Sequence, residues 1–229
     1  MAFLVLASQL SFMVTSENSN MLLSINPLVY YEDDFLTDAE CETVIECARD
    51  KMQKAKVCND EGTQSEDWRR TGGVCFLPQN TNHVIMGICN KIASKAHIHP
   101  IHAEDLQVIN YGLGEEYQPH LDAWDVHEYQ YMIHGGQRTL TALAYLNDVE
   151  EGGSTSFPEL GLSIPAKKGR IVFFENTHLG SNVRNQLALH GGDPVIKGEK
   201  WACNLWFREK HFQLSKVYDQ EENHKLLNI

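Results

Sequence analysis

Basic residues are scarce in this 229-residue chain: 19 Lys and Arg stand against 31 Asp and Glu, a formal charge of −12, and Arg49 is the first of them. A protein held to a phosphate backbone needs clustered cations, so no nucleic-acid partner is expected. A small anionic ligand stays open, because one buried cation suffices for it. No apolar run approaches the ~18 residues that span a bilayer, so no membrane partner is expected either. The apolar opening Met1-Ala-Phe-Leu-Val-Leu-Ala7 has none of the basic residues that begin a secretory leader. Cys41, Cys47, Cys58, Cys75, Cys89 and Cys203 form no C-x-x-C pair. They are read as reduced, buried thiols, which points to a cytoplasmic location. There is no internal repeat, low-complexity tract or linker to divide the chain.

Hydrophobic residues make up 42% and charged residues 22%, the balance of a globular domain with a sizeable core. Residues 1–25 read as a flexible arm, residues 26–210 as one domain and residues 211–229 as a tail. Within the domain, 35–100 reads as helical support and 105–208 as the β core. Thr37-Asp-Ala-Glu40 is a capping box, followed by Cys41, Val44, Ile45, Ala48 and Met52 at helical spacing. A second helix is expected over 82–96, burying Val84, Ile85, Ile88, Ile92 and Ala96. Between them Val57 to Gly73 reads as a long, charged loop. From His102 the period changes. Leu106–Tyr111, Arg138–Leu146, Gly169–Phe174 and Trp201–Phe207 are short β-branched or aromatic runs punctuated by Gly, Pro, Asn and Asp. The fold class expected is mainly β with α support, the strands forming an antiparallel barrel or jelly roll.

Pro119-His120-Leu121-Asp122 is the sharpest local feature. On a strand, residues i and i+2 share a face, so His120 and Asp122 can present an imidazole and a carboxylate to one point. Two His and one carboxylate on one face of an ion, with the other face open, is the ligand set of an iron(II) oxygenase. His190 is the candidate third ligand, because a Gly/Pro turn and a second strand follow it and could return Lys200 toward it. A Lys in an apolar barrel needs an anion, and the far carboxylate of a dicarboxylate would serve.

Four motifs in order carry a resemblance. They are Tyr111-x-x-Gly114-x-x-Tyr117-x-x-His120-x-Asp122, then Gly135-Gly-Gln-Arg138, then Leu146-Asn-Asp-Val-Glu-Glu-Gly-Gly153-x-Thr155-x-Phe157-Pro158, and His190 with Lys200 ten residues on. Over residues 105–208 the chain resembles the prolyl 4-hydroxylases, among the iron(II)- and 2-oxoglutarate-dependent dioxygenases. The resemblance implies a double-stranded β-helix (jelly-roll) core packed on N-terminal helices, with His120, Asp122 and His190 as iron ligands. It implies that Lys200 pairs with the C5 carboxylate of 2-oxoglutarate, assisted by Tyr111 and Thr155, and that Arg138, Tyr117 and Trp206 meet the substrate. The activity implied is hydroxylation of proline in a peptide or protein, releasing succinate and CO2, with L-ascorbate keeping the iron reduced. Alternatives are a 2-oxoglutarate oxygenase acting on another side chain or a free amino acid, and a non-oxidative, cupin-like metal-binding jelly roll.

Several rivals for these roles are visible. His97, His99 and His102 surround Pro100 with no acidic residue between them, and read as a solvated turn. His178 competes with His190, Asp125 with Asp122, and Arg208 with Lys200; Trp201, directly after Lys200, keeps the choice on Lys200. The segment from Asp122 to Gly136 is unusually aromatic, with Trp124, Tyr129 and Tyr131, and the loop at 57–73 is acidic at its middle. These two segments are expected to close over an extended peptide. The oligomeric state is not legible.

Overall fold

The computed structural model describes residues 20–55, 57–58, 64–65 and 69–212. In chain order, β1 (Asn20–Ile25) and β2 (Leu28–Glu32) precede α1 (Asp38–Arg49), and β3 (Gln53–Lys54), β4 (Val57–Cys58), β5 (Gln64–Ser65) and β6 (Gly73–Leu77) lead to α2 (His83–Ala96). There follow β7 (Leu106–Tyr111), β8 (Tyr117–His120), β9 (Arg138–Tyr145), β10 (Glu151–Gly152), β11 (Thr155–Phe157) and β12 (Leu162–Ile164). Then come β13 (Ile171–Glu175), β14 (His190–Gly192), β15 (Val195–Lys197) and β16 (Lys200–Arg208).

Eight strands form the major sheet in the order β1-β2-β13-β9-β16-β7-β6-β3, and four form the minor sheet, β12-β11-β14-β8. Strand alternation sorts side chains between two cores. On β16, Trp201, Cys203, Leu205 and Phe207 join the cluster that α1 and α2 cover. Residues of the opposite parity face the other way: Lys200, Asn204 and Trp206 line the cleft, and Ala202 packs in the inter-sheet core. On β13, Ile171 and Phe173 are buried, the latter beneath the helices, while Val172 and Phe174 pack in the inter-sheet core with Leu143, Tyr145 and Phe157. This is the double-layered β core, helices on one side, that the motif resemblance implied.

Both helices start where their caps dictate. Thr37 and Glu40 satisfy each other's backbone N–H in a capping box, and Asn82 accepts from Val84 and Ile85. Among the described residues no helix is long and apolar enough to cross a membrane.

Three expectations need correction. Residues 20–25 are not part of a free arm: they are β1, paired to β2 at the edge of the major sheet. Polar alternation made this edge strand look unstructured, and its partner β2 supplies the order. The region 35–100 is not helical support alone, since β3 and β6 extend the major sheet beside β7, and β4 pairs with β5 inside the expected loop. Finally, no hairpin returns Lys200 to His190. The strand β14 pairs with β8 and β11 in the minor sheet, whereas β16 pairs with β7 and β9 in the major sheet. Lys200 faces the site from the opposite layer.

Candidate active site

His120 ends β8 and His190 begins β14, and the two are register partners on adjacent antiparallel strands. Asp122 lies just past the end of β8, where it reaches across to the major sheet. Candidate ligand atoms of these three residues all lie within 4.8 Å of one another, and no other such group gathers among the described residues. Nε2 of His120 is 3.8 Å from Oδ1 of Asp122, and Nε2 of His190 is 3.6 Å from Oδ2.

Each imidazole is oriented by its own backbone. Nδ1 of His120 donates to the Gln118 carbonyl at 2.9 Å and Nδ1 of His190 to the Ala188 carbonyl at 3.0 Å. A carbonyl can only accept, so Nδ1 carries the proton and the Nε2 lone pair faces the shared point. The Tyr117 ring stacks on His120 at 3.6 Å, and Phe174 packs against His190 at 4.5 Å. Burial and the neighbouring His190 push the His120 imidazole well below its ordinary pKa. Burial opposes ionisation of Asp122, but the two imidazoles, Arg138 and the Thr141 hydroxyl outweigh it and hold the carboxyl below its usual range. A divalent metal binds imidazole through a free Nε2 and a carboxyl group in its ionised form. Two nitrogens and one oxygen on one side, open to a cleft of about 860 Å³, fit iron(II).

Lys200 lies in the same cleft and is 1% exposed. Burial pulls its pKa down to about 8. The hydrogen bond recorded for its ammonium is a long one, 3.5 Å, to the Ser154 carbonyl, and no carboxylate among the described residues pairs with it. A buried cation without an anion is unfavourable, so the site is built for an anionic ligand. Thr155 and Tyr111 line the same cleft. Tyr111 is the register partner of Lys200, its ring centroid lying 6.0 Å from the Lys200 ammonium.

Tyr145 was missed by the sequence reading. Its hydroxyl lies 2.7 Å from Thr155 Oγ1 and 3.0 Å from the Ile164 carbonyl, and Lys200 Nζ lies 5.4 Å from its ring centroid. It packs in the inter-sheet core and reaches the site through the Thr155 hydroxyl, a partner that no local spacing gives.

The expected substrate contacts share the cleft. Tyr117 lines the cleft against His120. Trp206 also lines it, but its indole N–H is committed to Asp122 Oδ2 at 2.8 Å. Arg138 lines the cleft as well, and Glu104 fixes its guanidinium through two bonds, at 2.7 and 2.9 Å. The rivals fall away. His178 sits in a turn that lines a different cavity, beside Leu28 and Tyr30. Asp125 caps the 3-10 turn at Val126–Tyr131 and pairs with Arg184 at 3.0 Å. Arg208 binds Glu104 at 2.6 Å, and His99 caps the turn at Pro100. The acidic middle of the loop at 57–73 lies outside the described residues, and so does its expected closure over the cleft.

The site and the sheets around it define a class, the iron(II)- and 2-oxoglutarate-dependent oxygenases, and the family described as the 2OG-Fe(II) oxygenase superfamily matches residues 106–208. Within that class the chain belongs to the prolyl 4-hydroxylases. It is 35% identical over 210 residues to Probable prolyl 4-hydroxylase 8 of Arabidopsis thaliana, covering 81% of this chain and 70% of that one. It is 31% identical over 210 residues to Probable prolyl 4-hydroxylase 7 of the same plant, covering 83% of this chain and 66% of the relative. Among solved structures, the viral collagen prolyl hydroxylase of Paramecium Bursaria Chlorella virus-1, in its 2OG complex, superposes with a TM-score of 0.64 at 28% identity. That match covers 79% of this chain and 95% of the viral one. A Trichoplax adhaerens prolyl hydroxylase shares the fold at 15% identity, with a TM-score of 0.61 over 93% of this chain and 96% of that one. The chain is thus a 2-oxoglutarate-dependent dioxygenase that uses iron(II).

Proposed function

We propose that the chain hydroxylates proline in an extended peptide or protein segment, with His120, Asp122 and His190 as the iron ligands. Lys200 binds the far carboxylate of 2-oxoglutarate, and the hydroxyls of Thr155, Tyr145 and Tyr111 orient the cosubstrate. The observation that carries this reading is one cleft holding two Nε2 lone pairs and a carboxylate aimed at one point, with an unpaired buried ammonium beside them. When bound, the metal and 2-oxoglutarate supply oxidative decarboxylation to succinate and CO2, coupled to insertion of one oxygen atom into a C–H bond. The protein's share is placement and exclusion of water. The His120 and His190 rings are fixed by the Gln118 and Ala188 carbonyls, so the ligands are set before the metal arrives. Lys200 selects a dianion by charge and depth. Tyr117 and Trp206 supply aromatic walls beside the ligand set, against whose edges a proline ring can pack.

The plant relatives, named as prolyl 4-hydroxylases, support proline as the target. Ascorbate belongs to the proposal as the reductant that restores iron after uncoupled turnover. The second reading, oxidation of a different side chain, keeps the same ligands. Succinate release with Fe(II) and 2-oxoglutarate, measured with and without proline-rich peptides, separates the two. The expected result is stimulation by the peptide and a mass gain of one oxygen atom on proline. Peptides that neither stimulate release nor gain mass would move the assignment to the second reading.

A further inference from the structure

Trp206, Arg138, Trp124, Arg208 and Phe212 form an alternating stack of aromatic rings and guanidinium groups. Successive guanidinium-to-ring distances are 3.6, 4.7, 4.4 and 5.1 Å. Face-on guanidinium contacts of this kind are attractive and gain strength when desolvated. One carboxylate fastens both cations from the side. Glu104 Oε1 accepts from Nε of Arg138 at 2.7 Å and from Nε of Arg208 at 2.6 Å, while Oε2 accepts from Nη2 of Arg138 at 2.9 Å. Glu104 and Arg208 are 6% and 7% exposed. Two guanidinium charges on one buried carboxylate leave an excess of positive charge, which the ring faces and two carbonyls absorb. Arg208 Nη1 donates to Tyr131 O at 3.0 Å and to Gly136 O at 2.8 Å.

The stack touches two functional parts of the molecule. At one end Trp206 donates to Asp122 Oδ2. At its middle, Trp124 belongs to the aromatic segment between Asp122 and Gly136 and lines the cleft. Gln137 grips the Trp124 backbone on both sides, accepting from its N–H at 2.9 Å and donating to its carbonyl at 2.8 Å. The Trp124 ring therefore has little freedom to move without its guanidinium neighbours.

We propose that Glu104 is a positioning residue that couples the Trp124 wall of the cleft to Asp122, through Arg138 and Trp206 on one side and Arg208 on the other. The proposal rests on the reading that a proline peptide occupies this cleft. A peptide seated against Trp124 presses on the stack, and the stack ends on the indole that shares Asp122. Substrate arrival then alters the metal's environment. Loosening Glu104 disturbs peptide and metal together, whereas loosening Arg208 disturbs the wall alone.

Cobalt(II) in the full chain, followed by its visible absorption, reads the metal without turnover. In the parent protein loaded with 2-oxoglutarate, a polyproline peptide is expected to shift the cobalt bands. R208Q is expected to raise the peptide KM about tenfold and leave cobalt affinity within about twofold. E104Q is expected to raise the peptide KM, weaken cobalt about tenfold and abolish the band shift. E104Q affecting only one of the two ligands, or keeping the shift, would overturn the coupling. Should E104Q not fold, W206F and R208Q carry the test from the two ends. Loss of the shift in both upholds the coupling and its retention in either defeats it. A parent protein that turns over no proline peptide sinks the substrate reading instead. The link from Glu104 to Asp122 is then still decided by the peptide-free cobalt affinity of E104Q.

Discussion

Trp206 and Thr141 are cross-strand partners on β16 and β9, and both donate to the same atom, Oδ2 of Asp122, at 2.8 and 2.6 Å. Asn176 donates to Thr141 Oγ1 at 2.8 Å, which commits the threonine's own proton to the carboxylate. With Oδ2 holding two donors, Oδ1 is the oxygen left for a metal.

Thr141→Val keeps the shape of the side chain and deletes one of those donors. Metal affinity is expected to fall about 10- to 100-fold, the usual effect of losing a group that supports a ligand. Titration with Fe(II) or Co(II), alongside a thermal melt to confirm folding, checks this; an unchanged affinity would remove Thr141 from the site's support.

Lys200 sets a pH dependence. Burial lowers its pKa from 10.5 to about 8, so above that pH the protein without ligand loses the ammonium that a dicarboxylate needs. The 2-oxoglutarate dissociation constant is expected to rise about tenfold per pH unit above that value, one proton being linked to binding. Lys200→Met should abolish this binding. The same substitution should stabilise the ligand-free fold below about pH 8, where the burial penalty is fully present, and the gain should fade toward pH 10.5. Calorimetric titration and thermal melts across pH test both signs.

His190→Ala is expected to lose metal and turnover together, because it removes one of the two imidazoles facing Asp122. His178→Ala, in a separate cavity, is expected to leave both within about twofold, since distant surface changes are near neutral. Metal content of the purified variants decides between the two histidines.

Gly72 is buried directly beneath Tyr111. A methyl group there would collide with the Tyr111 ring and lie 2.5 Å from the backbone oxygen of Asn110. Gly72→Ala is expected to destabilise the protein by about 1–3 kcal/mol and to raise the KM for 2-oxoglutarate more than that for peptide. Melting temperature and the two KM values test this; an unaltered KM for 2-oxoglutarate would separate Tyr111 from the cosubstrate.

Much of the site was legible because its parts lie on strands whose alternation is local. His120 with Asp122, and Lys200 with Trp206, follow from parity along one strand. Glu104 and Tyr145 were not legible. Each is an ordinary residue whose role comes from partners far along the chain: Arg138 and Arg208 for the first, Thr155 and Ile164 for the second. Arg138 was placed among substrate contacts on motif position alone, and only the fold showed its guanidinium bound to Glu104.

Local physics also decided the two helices, whose caps at Thr37 and Asn82 act within three residues. Residue order thereby determined the two helices and the long strands at 106–111, 138–145, 171–175 and 200–208. It also marked the residue types able to hold a metal and the Lys that needs an anion. Tertiary structure decided what no spacing contains: that β1 is an edge strand, that Lys200 approaches from the major sheet while His190 sits in the minor one, and that Asp122 bridges the two layers. The reason is that strand pairing and sheet packing are non-local, so which side chains meet across the cleft is set by the register of β8, β14 and β16 together and by no single segment.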